Sequence, residues 1–155
     1  MSLAQDILDR ARAAGVMIAT AESCTGGMIA AALTDIPGSS AVFDRGFVTY
    51  TNAAKQEMLG VRSGTLKAYG AVSEEVAREM VTGALQRAKG ALAVSVTGIA
   101  GPGGSEHKPE GRVCFGIAKP GHTSTETIDF GALGRDKVRA AARDHALRLL
   151  LDALR

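Results

Sequence analysis

Apolar side chains recur along this chain at two spacings. At three- and four-residue steps, Leu3, Ile7, Leu8 and Ala11 predict a helix over residues 3–14, capped by Ser2 and ended by Gly15. An unbroken apolar run at 16–20 is short enough for a buried strand. A helix from about 26 to 33 comes next and stops near Pro37 and Gly38. Alternation over 42–51 predicts a strand, and Asn52 is a good cap for a helix running to Leu59 and closed by Gly60. Residues 65–69 add one short turn. Ser73 caps the clearest helix in the middle of the chain. It has Glu74, Glu75 and Glu79 early and Arg87 and Lys89 late, as the helix dipole favours, and Gly90 at its end.

The second half begins with an apolar strand at 91–96 that runs into a glycine-rich loop, Thr97 to Gly104, continued through Gly111. Strands at 112–118 and 123–130 flank the Lys119-Pro120-Gly121-His122 turn closely enough for a hairpin. The last helix spans 135–154, with Val138, Ala142, His145, Leu149 and Leu150 on one stripe. Helices separate the early strands and a hairpin comes late. That order predicts one α/β domain over residues 1–155, with three α/β/α layers and a mixed, mostly parallel sheet.

Composition narrows the classes of function. At 155 residues, with 46% hydrophobic and 22% charged residues, the chain has enough apolar length for a packed core. A net charge of +2, with two Tyr, four Phe and no Trp, argues against a nucleic-acid surface and base-stacking platforms. Cys24 and Cys114 are far apart and form no CxxC pair, so a disulfide framework or zinc site is not indicated, and reduced thiols in a cytoplasm are the simpler reading. The early residues lack a signal-peptide core, and no apolar run is long enough to span a membrane. Self-association is left open.

Candidate chemistry sits where the two buried strands end. Both run into glycine-rich turns, Glu22 to Gly27 and Thr97 to Gly104. If the strands are parallel neighbours, the two turns line one crevice at the carboxyl ends of the sheet, where ligands gather. Such turns present N–H groups to an anion, phosphate above all, although neither matches GxxxxGK[ST] or GxGxxG. The same glycines also serve close packing. Ser23 and Cys24 are both candidate nucleophiles, and Ser40 is a third that equally reads as part of a plain turn. A cysteine nucleophile wants a histidine. His122 falls in the hairpin turn, His145 on a core stripe, and His107 in a loop with Glu106 and Glu110 that matches no metal-ligand spacing. A serine can instead use a neutral lysine. Lys55, in the first turn after Asn52, is the candidate, with Tyr50 near enough in sequence to orient it or shuttle a proton. Lys55 also reads as a solvated lysine, and Tyr50 as ordinary packing.

Several ordered motifs carry a resemblance. They are Ala21-Glu-Ser-Cys-Thr-Gly-Gly27, Gly38-Ser-Ser40, Arg45-Gly-Phe-Val-Thr-Tyr50 with Asn52 and Lys55, Gly70-Ala-Val-Ser73, and Thr97-Gly-Ile-Ala-Gly-Pro102 with Gly103, Gly104, Lys108 and Pro109. Together they resemble the CinA C-terminal family, whose stand-alone members are nicotinamide-nucleotide amidohydrolases, over nearly the whole chain. Glu110 departs from the pattern, in which a small or apolar residue precedes Gly111. Larger members carry an extra N-terminal domain, and the chain starts about where the deamidase domain would.

The resemblance implies hydrolysis of nicotinamide mononucleotide to nicotinate mononucleotide and ammonia by a Ser/Lys pair, with neither metal nor cofactor. It implies Ser23 as nucleophile and Lys55 as general base. Ser40, Tyr50 and Thr97 match other polar site positions, and Arg135 matches a phosphate or substrate contact. Glu22 is expected near the positively charged ring or in a structural hydrogen bond. The N–H groups near Thr25, Gly26 and Gly27 are expected to hold the oxyanion, and Gly98 belongs to the second anion-binding turn. The rival expectation is a nucleotide-binding regulatory module without catalysis, since larger relatives are linked to competence and DNA damage.

Overall fold

The computed structural model describes residues 2–88 and 92–155. Its elements run α1 (Leu3–Ala14), β1 (Ile18–Glu22), α2 (Met28–Thr34), a single 3-10 turn (Ser39–Ala41), β2 (Phe43–Val48), α3 (Asn52–Leu59), α4 (Ser63–Tyr69), α5 (Glu74–Arg87), β3 (Leu92–Gly98), β4 (Arg112–Lys119), β5 (His122–Asp129) and α6 (Arg135–Ala153). The helix ends match their caps. Ser2 accepts from the Gln5 N–H, Ser73 from the Val76 N–H, and Gly15 closes α1 in the left-handed conformation. At α3 the cap is Thr51, whose hydroxyl accepts from the Ala54 N–H, and Asn52 is the first helical residue. The expected short turn at 65–69 is the seven-residue helix α4. The expected late Lys89 and terminal Gly90 of α5 lie outside the described residues.

The five strands form one sheet in the order β2-β1-β3-β4-β5. β1 pairs in parallel with both β2 and β3, and β4 and β5 continue the sheet antiparallel. The sheet is thus mixed, parallel through its first three strands. β1 and β3 each end two residues later than the hydrophobic runs imply, because Glu22 and Thr97 are buried strand residues, not turn residues.

Helices cover both faces. Ile7, Leu8, Ile29, Leu33, Val138 and Leu150 from α1, α2 and α6 pack on one face against Ile18, Val94 and Phe115. Leu59, Leu66, Val76 and Met80 from α3, α4 and α5 pack on the other against Ala19, Ala21 and Ala93. Each large aliphatic side chain buried this way contributes about 1.5–3 kcal/mol. Small strand residues let α5 approach closely: a Cβ at Gly116 would stand 2.8 Å from the Ala77 carbonyl oxygen.

The chain leaves β1 outward to β2 and leaves β3 outward to β4 on the opposite side. Adjacent parallel strands whose connections diverge open a crevice at their carboxyl ends. β1 and β3 are in register there, with Glu22 opposite Val96.

Candidate active site

The turn after β1 is held from three directions. The Ser23 N–H donates to the Val96 carbonyl of β3 (3.0 Å), and Gly26 and Gly27 turn the chain with φ of 57° and 106°, values that favour glycine. The Glu22 carboxylate is fully buried. Its Oε1 accepts from the Thr25 hydroxyl (2.6 Å) and from the Gly27 and Ile29 N–H groups, and its Oε2 from the Ala30 N–H (3.0 Å). Glu22 therefore serves as the acidic cap of α2, satisfying N–H groups that a helix start leaves without partners. From behind, Arg139 of α6 donates to the carbonyls of Cys24 (2.9 Å) and Thr25 (3.4 Å). Sequence reasoning missed Arg139, because its partners are backbone carbonyls that leave no trace in side-chain pattern.

Lys55 enters from α3. It is the largest fully buried side chain, 1% exposed. Its Nζ donates to Ser23 Oγ (3.1 Å) and to the carbonyls of Thr49 and Tyr50 (both 3.2 Å). Burial lowers its pKa below the ordinary lysine value, against smaller opposing effects of Cys24 and Glu106. Burial also pushes the neighbouring Cys24 thiol up to about 12, which keeps it protonated at neutral pH.

Ser23, Cys24 and Lys55 open into a cavity of about 320 Å3, within the range of small-ligand sites. Tyr50 and Asn52 line it beside them, Ala71 and Val72 form one wall, and the stretch 97–106 and Arg135 form the others. Arg135 donates to the Gly101 carbonyl (2.6 Å) and to the Tyr50 phenolic oxygen (2.6 Å). The Thr97 hydroxyl donates to the Ala71 carbonyl, tying that wall to the sheet. Glu110, the departure from the motif pattern, accepts from the Gly103 N–H (2.7 Å) and the Gly134 N–H (3.2 Å), and so joins the glycine-rich loop to the start of α6.

Of the residues singled out in the sequence, Ser23, Tyr50, Lys55, Thr97, Gly98 and Arg135 line this cavity. Others do not. Ser40 precedes β2 at the amino end of the parallel strands, across the five-residue length of β1 from Ser23, about 16 Å at roughly 3.3 Å per residue. Parallel pairing forces this separation, since the chain must return to the starting edge before β2. Glu22 and Thr25 are buried in each other's hydrogen bond, and Gly26 and Gly27 shape the turn without lining the cavity. The Gly26 N–H is paired with the Ser23 carbonyl and the Gly27 N–H with Glu22, so neither is free for an oxyanion. The Tyr50 phenol meets Arg135, and it is the Tyr50 carbonyl that orients Lys55. No histidine lines the cavity. His145 pairs with Glu126 and stacks edge-on against Phe115. Among the described residues no group of three His, Cys, Asp or Glu is placed to hold a metal, and no helix is long and apolar enough to cross a membrane.

The fold and pocket define a three-layer α/β protein with a buried serine–lysine pair at the carboxyl ends of its parallel strands. The model of the CinA C-terminal domain family matches residues 1–154, and the chain belongs to that family. It is 56% identical over 147 residues to the CinA-like protein of Chlorobium phaeobacteroides, covering 91% of this chain and 35% of that longer protein. It is 55% identical over 142 residues to the nicotinamide-nucleotide amidohydrolase PncC of Enterobacter agglomerans, covering 90% of this chain and 86% of that one. The crystal structure of the competence/damage inducible protein CihA from Agrobacterium tumefaciens superposes with a TM-score of 0.93 at 51% identity, over 98% of this chain and 93% of the other.

Proposed function

We propose that this protein is a nicotinamide-nucleotide amidohydrolase. In this reading it converts nicotinamide mononucleotide and water to nicotinate mononucleotide and ammonia through an acyl-enzyme on Ser23. The observation that carries the reading is the buried contact of Lys55 Nζ with Ser23 Oγ at 3.1 Å. The identity to PncC over most of both chains supports the substrate.

The lysine's surroundings favour its use as a base. A neutral amine has two N–H groups and one lone pair. The Thr49 and Tyr50 carbonyls occupy the two N–H groups, which leaves the lone pair facing the Ser23 hydroxyl. Lys55 takes the Ser23 proton as Oγ attacks the carboxamide carbon. The positively charged pyridinium ring withdraws electrons and makes that carbon more electrophilic. Collapse breaks the C–N bond as Lys55 returns the proton to departing ammonia. Water, giving a proton to Lys55, then releases the nicotinate, and Ser23 regains its proton. Arg135, at the mouth of the cavity, takes the phosphate.

The direct test is to incubate the purified protein with nicotinamide mononucleotide and quantify ammonia and nicotinate mononucleotide. Equimolar formation of both is expected. Binding of the nucleotide without either product would favour a regulatory module and overturn the enzymatic reading.

A further inference from the structure

Three charged side chains line the cavity among the described residues: Lys55, Arg135 and Glu106. The proposed reaction uses the first two. Of the two expectations for Glu22, a place near the positively charged ring or a structural hydrogen bond, the structure has the second: Glu22 is occupied by the start of α2 and does not reach the cavity. Glu106 is the one acidic residue on the lining among the described residues. It is presented by a backbone with φ of 52° at Glu106 and 62° at His107, a left-handed pair that non-glycine residues rarely adopt. Its carboxylate lies against the Gly70 backbone, where a Cβ would stand 2.7 Å from Oε2. The nearby Lys108 ammonium donates to the Tyr69 and Val72 carbonyls (2.6 and 2.5 Å), and Glu106 forms no ion pair with it or any other cation among the described residues.

We infer that Glu106 is a specificity-determining residue, recognising the positive charge of the pyridinium ring and so selecting ring-quaternised nicotinamide over uncharged amides. This rests on the amidohydrolase reading above. Glu106 shares the cavity lining with Ser23 and Lys55, and its charge favours the protonated lysine against the larger opposing effect of burial. A cationic ring placed between Glu106 and the serine–lysine pair meets an exposed carboxylate that forms no ion pair among the described residues, so the attraction is real but screened by solvent. Arg135 then meets the phosphate, Glu106 the ring charge and Ser23 the carboxamide, one contact for each chemical part of the substrate.

The test compares one ligand in two ring states, which differ in ring charge and share the ribose phosphate. In Ser23→Ala protein, which blocks turnover, affinities are measured calorimetrically for nicotinamide mononucleotide and for its reduced dihydropyridine form, whose ring is neutral. The same pair is measured after adding Glu106→Gln, which keeps size and removes charge. Glu106→Gln is expected to weaken the oxidised nucleotide roughly three- to tenfold, the scale of a partly exposed ion pair, and to leave the reduced form within about twofold. Equal weakening of both forms would mean a merely structural effect on the loop and overturn the proposal, as would no change in either or no binding of either. Failure of the wild-type protein to release ammonia would defeat the amidohydrolase reading separately.

Discussion

Lys55 has 1% of its surface exposed, and no carboxylate pairs with it among the described residues. An ammonium in that position is expensive, because desolvation penalises the charged form, so the pKa falls below 10.5. Above the lowered pKa the amine is neutral and accepts the Ser23 proton; below it the base is lost. Turnover is therefore expected to fall with decreasing pH along a limb that lies below the ordinary lysine range. A pH profile of kcat/KM checks this, and a limb at or above 10.5 would contradict it. Stability has the same sign. Between the folded and unfolded values the unfolded chain binds more protons, so stability rises with pH across that window. Lys55→Met, of similar length and without charge, is expected to reduce kcat by at least ~10³ while removing this pH dependence of the melting temperature. The residue was legible as a candidate from its place after Asn52. Its burial was not, because that depends on walls supplied by β1 and the 97–106 stretch.

The start of α2 is the most consequential element end in the molecule. Three of its N–H groups, those of Gly27, Ile29 and Ala30, depend on the Glu22 carboxylate. Glu22→Ala strands those donors in a buried position and is expected to destabilise the fold by about 3–5 kcal/mol, measurable by urea denaturation. A loss below about 1 kcal/mol would mean that water or another group replaces the carboxylate. The α3–α5 contact is equally specific. A Cβ at Gly83 would stand 2.0 Å from the Leu59 carbonyl oxygen, so Gly83→Ala is expected to push α3, and Lys55 with it, away from α5. Stability and turnover should fall together in that variant, by melting temperature and ammonia release. Among the elements, the sequence was most readable where determinants are local. α1 and its Ser2 and Gly15 caps, the β4–β5 hairpin, and α6 from Arg135 all lie within a residue or two of the pattern's limits. β1 and β3 ran two residues past their apolar runs because Glu22 and Thr97 bury polar groups that find partners elsewhere in the fold, α2 for one and the Ala71 carbonyl for the other.

The site as a whole is assembled from segments far apart in the chain: the turn after β1, the first turn of α3, the loop after β3 and the start of α6. That convergence was foreseeable only on the condition that β1 and β3 are parallel neighbours, which they are. Glu22, Thr25, Gly26 and Gly27 build the turn beside the cavity without lining it, and Ser40 lies farthest from it. The small-residue motif of Ser40 looks like a turn beside a site, and only the direction of β2 carries it to the far end of the sheet. Arg139 and Glu110 were invisible as partners for a related reason. Each bridges backbone groups of segments that meet only after folding. In the proposed mechanism this assembly makes Ser23, and not the neighbouring Cys24, the nucleophile. The most direct test is ammonia release from nicotinamide mononucleotide by wild-type, Ser23→Ala and Cys24→Ala proteins, each shown to be folded. Ser23→Ala is expected to lose at least ~10³ in kcat. Cys24→Ala, whose buried thiol sits near a pKa of 12, should keep activity within about threefold, and the wild type should resist thiol alkylation. Near-normal turnover by Ser23→Ala, or its loss in Cys24→Ala, would contradict the assignment.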